Sequence, residues 1–315
     1  MTSWSADVAV GLVGLGTIAE IHLAVLSDLP QVRFAFAVDP DPRPDVTFKD
    51  GAPPRYERLE DALGHHQPDL IVIATPTDTH AELARLALIG SAARVLVEKP
   101  LVHDLTALDE VRSLGPAIDV ASRVFVAHHF AFSPEVHWAS NLVAAHLEWG
   151  PITRIVAVFH DPYILDTGRS FAAYGSSWID SGVNQLSMLA RFVDITDRGP
   201  LHETSKGASA WCTATFNSGG TTGTALLRTS WEAVASSKRT TLYLDQSGTE
   251  IWLDHTAVTA LAIQDGTLVD HLPNDAHTPR KIAHYQPLYE SLLSNAPDPV
   301  LSCATAEQIL RHLYR

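Results

Sequence analysis

The chain has 315 residues, of which 46 % are hydrophobic and 18 % charged, and a formal net charge of −14. That length and balance exclude a disordered chain and allow two domains or one large α/β domain. The acidic charge disfavours nucleic acid or an anionic membrane as partner, since both need a basic surface, but it allows a dinucleotide held by backbone N–H groups.

The first part alternates β-branched apolar runs with helical stretches. The runs are 8–13 (VAVGLV), 33–38, 70–74, 94–97 and 123–127, and helices are expected near 18–28, 57–64, 78–90 and 104–114. Near-continuous apolar runs suit strands covered on both faces, and the βαβ rhythm predicts a doubly wound parallel sheet. The loop Gly14-Leu15-Gly16-Thr17-Ile18-Ala19 directly follows the first strand and opens a helix. It fits G-x-G-x-x-A: Gly14 for the tight turn, Gly16 for close approach of a pyrophosphate, Ala19 for helix packing. Asp39 ends the second strand, where a carboxylate accepts ribose hydroxyls and repels a 2′-phosphate. This favours NAD, with NADP kept open by Arg43.

Glu98-Lys99-Pro100 follows the fourth strand, at the sheet edge where ligands bind. Lys99 there is placed to hydrogen-bond a substrate hydroxyl and to stabilise developing negative oxygen or share in proton transfer. Glu98 is expected to pair with that ammonium or to cap the next helix.

After about residue 130 the rhythm changes. A helix is expected from Ser133-Pro134 to about Glu148, ended by Gly150-Pro151. Strands follow at 152–160, 209–217, 222–232, 239–245, 249–254, 257–264 and 267–272, with hairpin-like connectors, so an antiparallel sheet is predicted. Helices near 284–294 and 304–314 close the chain. The expected division is a dinucleotide-binding domain over 1–128 and an α+β substrate and oligomerisation domain over 129–315.

Between these strands lies WIDSGVNQLSMLA (178–190), in which polar residues crowd the start of an apolar helix. Asp180 and Asn184 fall on one helical face, one turn apart. Asp180 or Ser181 could cap the helix, and the same helix start could be an active site. The 16 histidines show no metal-binding spacing and the two cysteines no C-x-x-C, so no metal site and no disulfide are expected. The start lacks the features of a signal peptide and no apolar run is long enough to span a membrane, so a cytoplasmic protein is expected.

GLGTIAEIH (14–22), ATPTDTHAE (74–82) and VLVEKPL (95–101) together resemble the Gfo/Idh/MocA oxidoreductases, and the resemblance runs through the strand-rich second half. It implies an N-terminal Rossmann domain and a C-terminal domain with a large open, mostly antiparallel sheet that supports homodimers or homotetramers. It implies that Thr17, Ile18, Thr75, Pro76, His80 and Glu98 join Gly14, Gly16, Ala19, Asp39 and Lys99 around the cofactor. It also implies that Lys99 lies in the catalytic centre. The family's D-x-G-x-H signature appears here as Asp180-Ser181-Gly182-Val183-Asn184, with Asn for His. A carboxamide does not titrate, so the usual base is gone. The sugar 1-dehydrogenases acting on L-arabinose or D-galactose look similar at this point. Segments 126–136 and 228–233 resemble theirs, with His129 and Trp231 on the substrate side and Ala131 where Arg is usual. Trp178 and Tyr174 are further candidates to line a sugar pocket, as are His160, Asp161 and Tyr163 after the strand at 152–160. The expected reaction is hydride transfer between C1 of an aldopyranose and NAD(P), giving a lactone. Asp180 or Lys99 would handle the proton and Asn184 hold the sugar. A ring-hydroxyl dehydrogenase, a keto-sugar reductase or a non-catalytic dinucleotide-binding regulator are the alternatives.

Overall fold

The computed structural model describes residues 7–41, 48, 51–115, 118–164, 175–246 and 248–315, so Arg43 and Tyr174 lie outside the described residues. The chain divides into two compact units. The first comprises residues 1–128 with 285–310 and Tyr314; the second comprises 129–284 with 311–313 and Arg315. The expectation of one continuous second domain over 129–315 is thereby corrected. Much of the C-terminal helical region returns to the first unit.

The first unit is built on six parallel strands: β1 (Val8–Val13), β2 (Val32–Val38), β3 (Arg55–Tyr56), β4 (Leu70–Ile73), β5 (Arg94–Val97) and β6 (Val124–Val126), in the order β3-β2-β1-β4-β5-β6. Every residue of β1 and β4 is buried, which is why both read as unbroken apolar runs. Each fully buried Val or Leu side chain contributes about 1.5–3 kcal/mol. Helices α1 (Ala19–Ser27), α2 (Leu59–His65), α3 (His80–Gly90), α4 (Leu105–Arg112) and the short α5 (Val120–Arg123) connect the strands. Strand order reverses where β1 adjoins β4, the switch point at which such sheets open a crevice beyond their carboxyl ends. β3 and α5 were not expected from the sequence; each is only one turn or one pair long.

The second unit begins with α6 (Pro134–Ala145) and β7 (Ile152–His160). Then come α7 (Val183–Leu189), the edge strands β8 (Asp194–Arg198) and β9 (His202–Glu203), and the long strands β10 (Ser209–Ser218), β11 (Thr221–Ser230), β12 (Ser237–Leu244), β13 (Thr249–Asp254), β14 (Thr259–Gln264) and β15 (Thr267–Leu272). They form a sheet in the order β15-β14-β13-β12-β7-β11-β10-β8, with β9 beside β10. Pairing is antiparallel except between β7 and β11, which run parallel. Along β10, β12 and β13 burial alternates residue by residue, so one face is a core and the other is open. The open face carries Trp211, Trp252 and Leu261, and Trp252 pairs directly with Leu261 across β13 and β14. The last helices are α8 (Arg280–Leu292), which starts earlier than expected, and α9 (Cys303–Leu313).

Candidate active site

In the first unit the loops after β1, β4 and β5 meet at the carboxyl edge of the sheet. Gly14 has φ +88° and donates its N–H to the Val38 carbonyl at 2.8 Å. A Cβ on Gly14 would stand 2.7 Å from the Ala74 carbonyl oxygen and 2.8 Å from Thr75 Cγ2, so only glycine lets the two loops touch. A Cβ on Gly16 would meet nothing within 4 Å. That open space lies in front of α1, whose N-cap Ile18 makes no side-chain cap bond. Thr17 is exposed and Ile18 half-buried beside it, while Ala19 is buried against the sheet. Uncapped N–H groups with room in front suit a pyrophosphate.

Asp39 binds the glycine loop itself. Leu15 N–H donates to Asp39 Oδ2 at 2.7 Å, and Asp41 N–H to Oδ1 at 2.9 Å. Each carboxylate oxygen has a second lone pair for a ribose hydroxyl. A pocket lined by Leu15, Asp39, Asp41, Arg55, Tyr56 and Glu57 opens beside it. The residues present therefore fit a dinucleotide.

Thr75 and Thr79 share a hydroxyl hydrogen bond of 2.7 Å, and Thr79 also donates to the Pro76 carbonyl. Pro76 itself is exposed. His80 departs from expectation. Its ring is 1 % exposed, with Nδ1 2.9 Å from the Pro100 carbonyl and Nε2 2.9 Å from the Thr75 carbonyl. It ties the loop after β4 to the loop after β5 and has no surface left for a cofactor. Burial pulls its pKa down, against the two carbonyls and Glu98, which push it up.

Glu98 is corrected in the same way. It is 6 % exposed, and its Oε1 receives the Tyr285 hydroxyl at 2.5 Å and stands 3.1 Å from His22 Nε2. Its Oε2 accepts the Lys99 N–H at 3.1 Å. The carboxylate thus sets the backbone of Lys99 and caps no helix. His22 Nδ1 lies 2.6 Å from the Tyr289 hydroxyl, which closes the network. Burial alone would raise the Glu98 pKa. The hydrogen bond and charge of His22, the Tyr285 hydroxyl and the charge of Lys99 outweigh it and hold the pKa below the usual range. Both tyrosines are pushed well above theirs, by burial first and by Glu98 next. Lys99 is half-buried and joined to Pro100 by a cis peptide bond.

In the second unit the stretch Trp178–Gly182 forms a π-helical turn leading into α7. Neither Asp180 nor Ser181 caps that helix: its N-cap is Gly182, with no side-chain bond. The wider π turn is a feature common at functional sites. Asp180 is half-buried and donates its N–H to the Ser176 carbonyl at 3.1 Å. Asn184 is 7 % exposed and its Nδ2 donates to the Asp180 carbonyl at 3.2 Å. Gln185 reaches down to the sheet, with Nε2 donating to the carbonyls of Ala157 on β7 and Arg228 on β11. Ser177 and Thr229 join hydroxyls at 3.0 Å. These bonds hold α7 and the turn before it against the two parallel strands.

Just beyond β7, Asp161 forms a buried ion pair with Lys238 of β12, and Ser236 donates to the same Oδ1 at 3.0 Å. Burial pulls the Lys238 pKa down, opposed by the carboxylates of Asp161 and Asp180. This pair was missed in the sequence. Its signal is slight: Lys238 shares the inward face of β12 with Thr240 and Leu242, an unusual place for a charge. His160, expected near the substrate, ends β7 within reach of the charges of Asp161 and Lys238. It is a half-buried residue in the alternation opposite Phe159, next to the charge of Arg228.

Trp178 is also corrected. It is fully buried, and its Nε1–H donates to the Leu313 carbonyl at 2.9 Å, so it is a core residue with no face for a sugar. Trp231 directly follows β11, 3 % exposed, with its ring 6.0 Å from that of Tyr163. His129 is 9 % exposed and its Nδ1 lies 3.2 Å from His284 Nδ1. Among the described residues no group of His, Cys, Asp or Glu could hold a metal ion, and no helix is long and apolar enough to cross a membrane.

Residues 8–126 match the Gfo/Idh/MocA oxidoreductase family, NAD-binding Rossmann fold. Over that stretch the chain is similar to the NAD-binding Rossmann domain of this family. The chain is similar to the rhizopine catabolism protein MocA of Rhizobium meliloti, 27 % identical over 184 residues, which are 57 % of this chain and 55 % of that protein. The chain spans about half the length of the curated relatives it matches. Among solved structures it is similar to GenD2 from gentamicin A biosynthesis in complex with NAD, at TM-score 0.75 and 18 % identity, covering 99 % of this chain and 93 % of that one. It is similar also to UDP-N-acetylglucosamine 3-dehydrogenase GnnA from Acidithiobacillus ferrooxidans, at TM-score 0.71 and 18 % identity, over 98 % and 95 %. Likeness at that identity carries the fold alone, and it extends the two-part architecture over nearly the whole chain.

Proposed function

We propose that the chain is a nicotinamide-dependent dehydrogenase that removes hydride from C1 of a galactose- or arabinose-like aldopyranose and leaves a lactone. The observation that carries this reading is Asn184, tied through Nδ2 to the Asp180 carbonyl where a titrating base is expected. An anomeric hydroxyl is more acidic than a ring alcohol, because the ring oxygen withdraws charge, and it needs less of a base. Asp180 or Lys99 takes its proton, and the Asn184 carboxamide oxygen accepts a hydrogen bond from the sugar.

When bound, the dinucleotide supplies the hydride acceptor. The chain's part is placement: Gly14 and Gly16 admit the pyrophosphate to the start of α1, and Asp39 accepts the ribose hydroxyls. The carboxylates of Asp39, Asp41 and Glu57 around one pocket repel a 2′-phosphate and support NAD over NADP. Trp211, Trp252 and Leu261 on the open sheet face support assembly into a homodimer or homotetramer.

The test is NADH fluorescence with NAD and a panel of aldoses. A signal with galactose or arabinose and a lactone product is expected. Tight NAD binding with no turnover of any sugar overturns the reading in favour of a regulator. A ring-hydroxyl substrate is the second reading. It is favoured by His129, which keeps 9 % exposure and brings an imidazole of the kind that the Asn184 position lacks.

A further inference from the structure

Lys99 is the first residue past the sheet of the first unit. The β5 ladder ends one residue earlier, where the Glu98 N–H donates to the Ile73 carbonyl at 2.9 Å. Pro100, next along, has no N–H to give. The one main-chain donor of the Lys99–Pro100 pair goes to Glu98 Oε2 at 3.1 Å. Glu98 thus fixes its own neighbour, and what fixes the Glu98 carboxylate comes from distant parts of the chain.

Three hydrogens converge on that carboxylate. One is the Lys99 N–H. The second is the Tyr285 hydroxyl of α8, which donates to Oε1 at 2.5 Å. The third comes from His22 of α1, whose Nε2 lies 3.1 Å from the same oxygen; facing a carboxylate, that nitrogen carries the hydrogen. The other nitrogen of His22, Nδ1, lies 2.6 Å from the Tyr289 hydroxyl, one turn further along α8. Both tyrosine rings stand edge to face with the imidazole, with centroids 5.0 and 5.8 Å away. His22, Tyr285 and Tyr289 are fully buried, so water does not compete for these bonds.

Three donors ask for a group that only accepts. A carboxylate has lone pairs on both oxygens. A carboxamide would set its NH2 either against the Lys99 N–H or against the Tyr285 and His22 hydrogens. Burying a carboxylate is costly, and a loop that needed only one N–H satisfied could use a carbonyl or water. Here the cost falls beside the lysine of the candidate site. We propose that Tyr285 and His22 are positioning residues for Lys99: through the Glu98 carboxylate they fix the main chain from which its side chain reaches the substrate. This rests on the reading of Lys99 above. Both act at one remove, since both are sealed in the core. A misplacement of about 1 Å can cost about 100-fold in rate, so the loss of one hydroxyl behind Lys99 shows in turnover.

The test pairs kinetics with amide exchange. Tyr285→Phe is expected to lower kcat about tenfold or more, with the KM for the aldose moving less than about twofold. In a Lys99→Ala background the same change should cost less than about twofold further, because the residue it acts through is gone. An equal loss in both backgrounds, or no loss in the first, overturns the proposal. Exchange is read on protein isotope-labelled at lysine nitrogen, with the Lys99 amide identified by its absence in Lys99→Ala. In the unaltered protein that amide should be protected, and in Tyr285→Phe and Glu98→Gln it should exchange about tenfold faster or more. Exchange in the unaltered protein at the rate of an open peptide overturns the proposal without any variant having to fold. So does exchange that neither variant changes. If exchange behaves as expected and no aldose is oxidised, the sugar reading fails and the setting of Lys99 by Tyr285 and His22 stands.

Discussion

The carboxamide of Asn184 donates to the main-chain oxygen of Asp180 at 3.2 Å, one turn back across the end of a π-helical turn. The side chain in the base position is thus partly spent on holding backbone and keeps one N–H and its carbonyl oxygen, neither of which titrates. Asn184→Ala removes both roles. Losing one such buried bond is worth about 1–3 kcal/mol, so kcat/KM for the sugar should fall about 5–150-fold. Steady-state kinetics beside a thermal melt separates that loss from unfolding.

Lys99 is set by Glu98 through its own N–H. Lys99→Ala should lower kcat by about 100-fold or more, the scale of a positioned acid or base, a larger loss than any weakening of NAD seen by fluorescence titration. Wild-type turnover in this variant would remove Lys99 from the chemistry.

Gly182 lies under the Trp178 ring: a Cβ there would stand 2.6 Å from Trp178 Cε3. The ring is locked in the core by its bond to the Leu313 carbonyl, so it cannot yield easily. Gly182→Ala should cost about 1–3 kcal/mol by overpacking, read by denaturant titration. It should also disturb the π turn, and turnover should fall more than stability alone explains.

Acid should unfold the protein through its buried histidines. His128 donates from Nδ1 to the Val300 carbonyl at 2.7 Å, and burial pushes its pKa down to about 4. The folded pKa lies below the unfolded value of about 6.5, so the unfolded chain binds the proton first. Stability should therefore fall as pH drops from about 6.5 toward 4, by about 3 kcal/mol for this residue. His128→Asn keeps a donor for Val300 and should flatten that part of the curve. Glu98 acts lower: its depressed pKa contributes stability that is complete above the unfolded carboxyl value and lost as pH falls through the folded one.

Asp39 accepts from the glycine loop and faces the pocket beside it. Asp39→Ala should narrow the preference for NAD over NADP about tenfold or more and weaken NAD, since the loop N–H of Leu15 loses its partner. Paired titrations of the two cofactors decide it.

How far these features were legible depends on whether their cause was local. β1 and β4 are covered on both faces, so their burial shows as unbroken apolar runs. The glycine loop was legible because its reason is steric and lies in a few consecutive residues. β8 (DITDR) sits at the sheet edge, mostly exposed, and carries no apolar pattern to find. In α8 the buried Tyr285, Leu288, Tyr289 and Leu292 keep helical spacing, but spacing says which face is covered and not by what. Its return to the first unit, where Tyr285 and Tyr289 hold Glu98 and His22, could not be read. Asp161 with Lys238, and Glu135 with His255, are distant pairs, and a charged residue is written the same way whether it ends in water or in a core. His80 and Trp178 misled for a related reason: residue types suited to ligands are as well suited to tying loops and filling interiors.

One parallel pair, β7 with β11, interrupts the antiparallel sheet of the second unit. Parallel neighbours cannot be joined by a tight hairpin, so the chain must leave the sheet after His160 and come back to start again from the same side. Everything between is cargo of that detour, and the π turn, Asp180 and Asn184 ride in it. The strands fix where the cargo is delivered while contributing little to what it carries. Substrate preference in this architecture can therefore be rewritten within a single excursion of the chain, with the ladder on either side left as it stands.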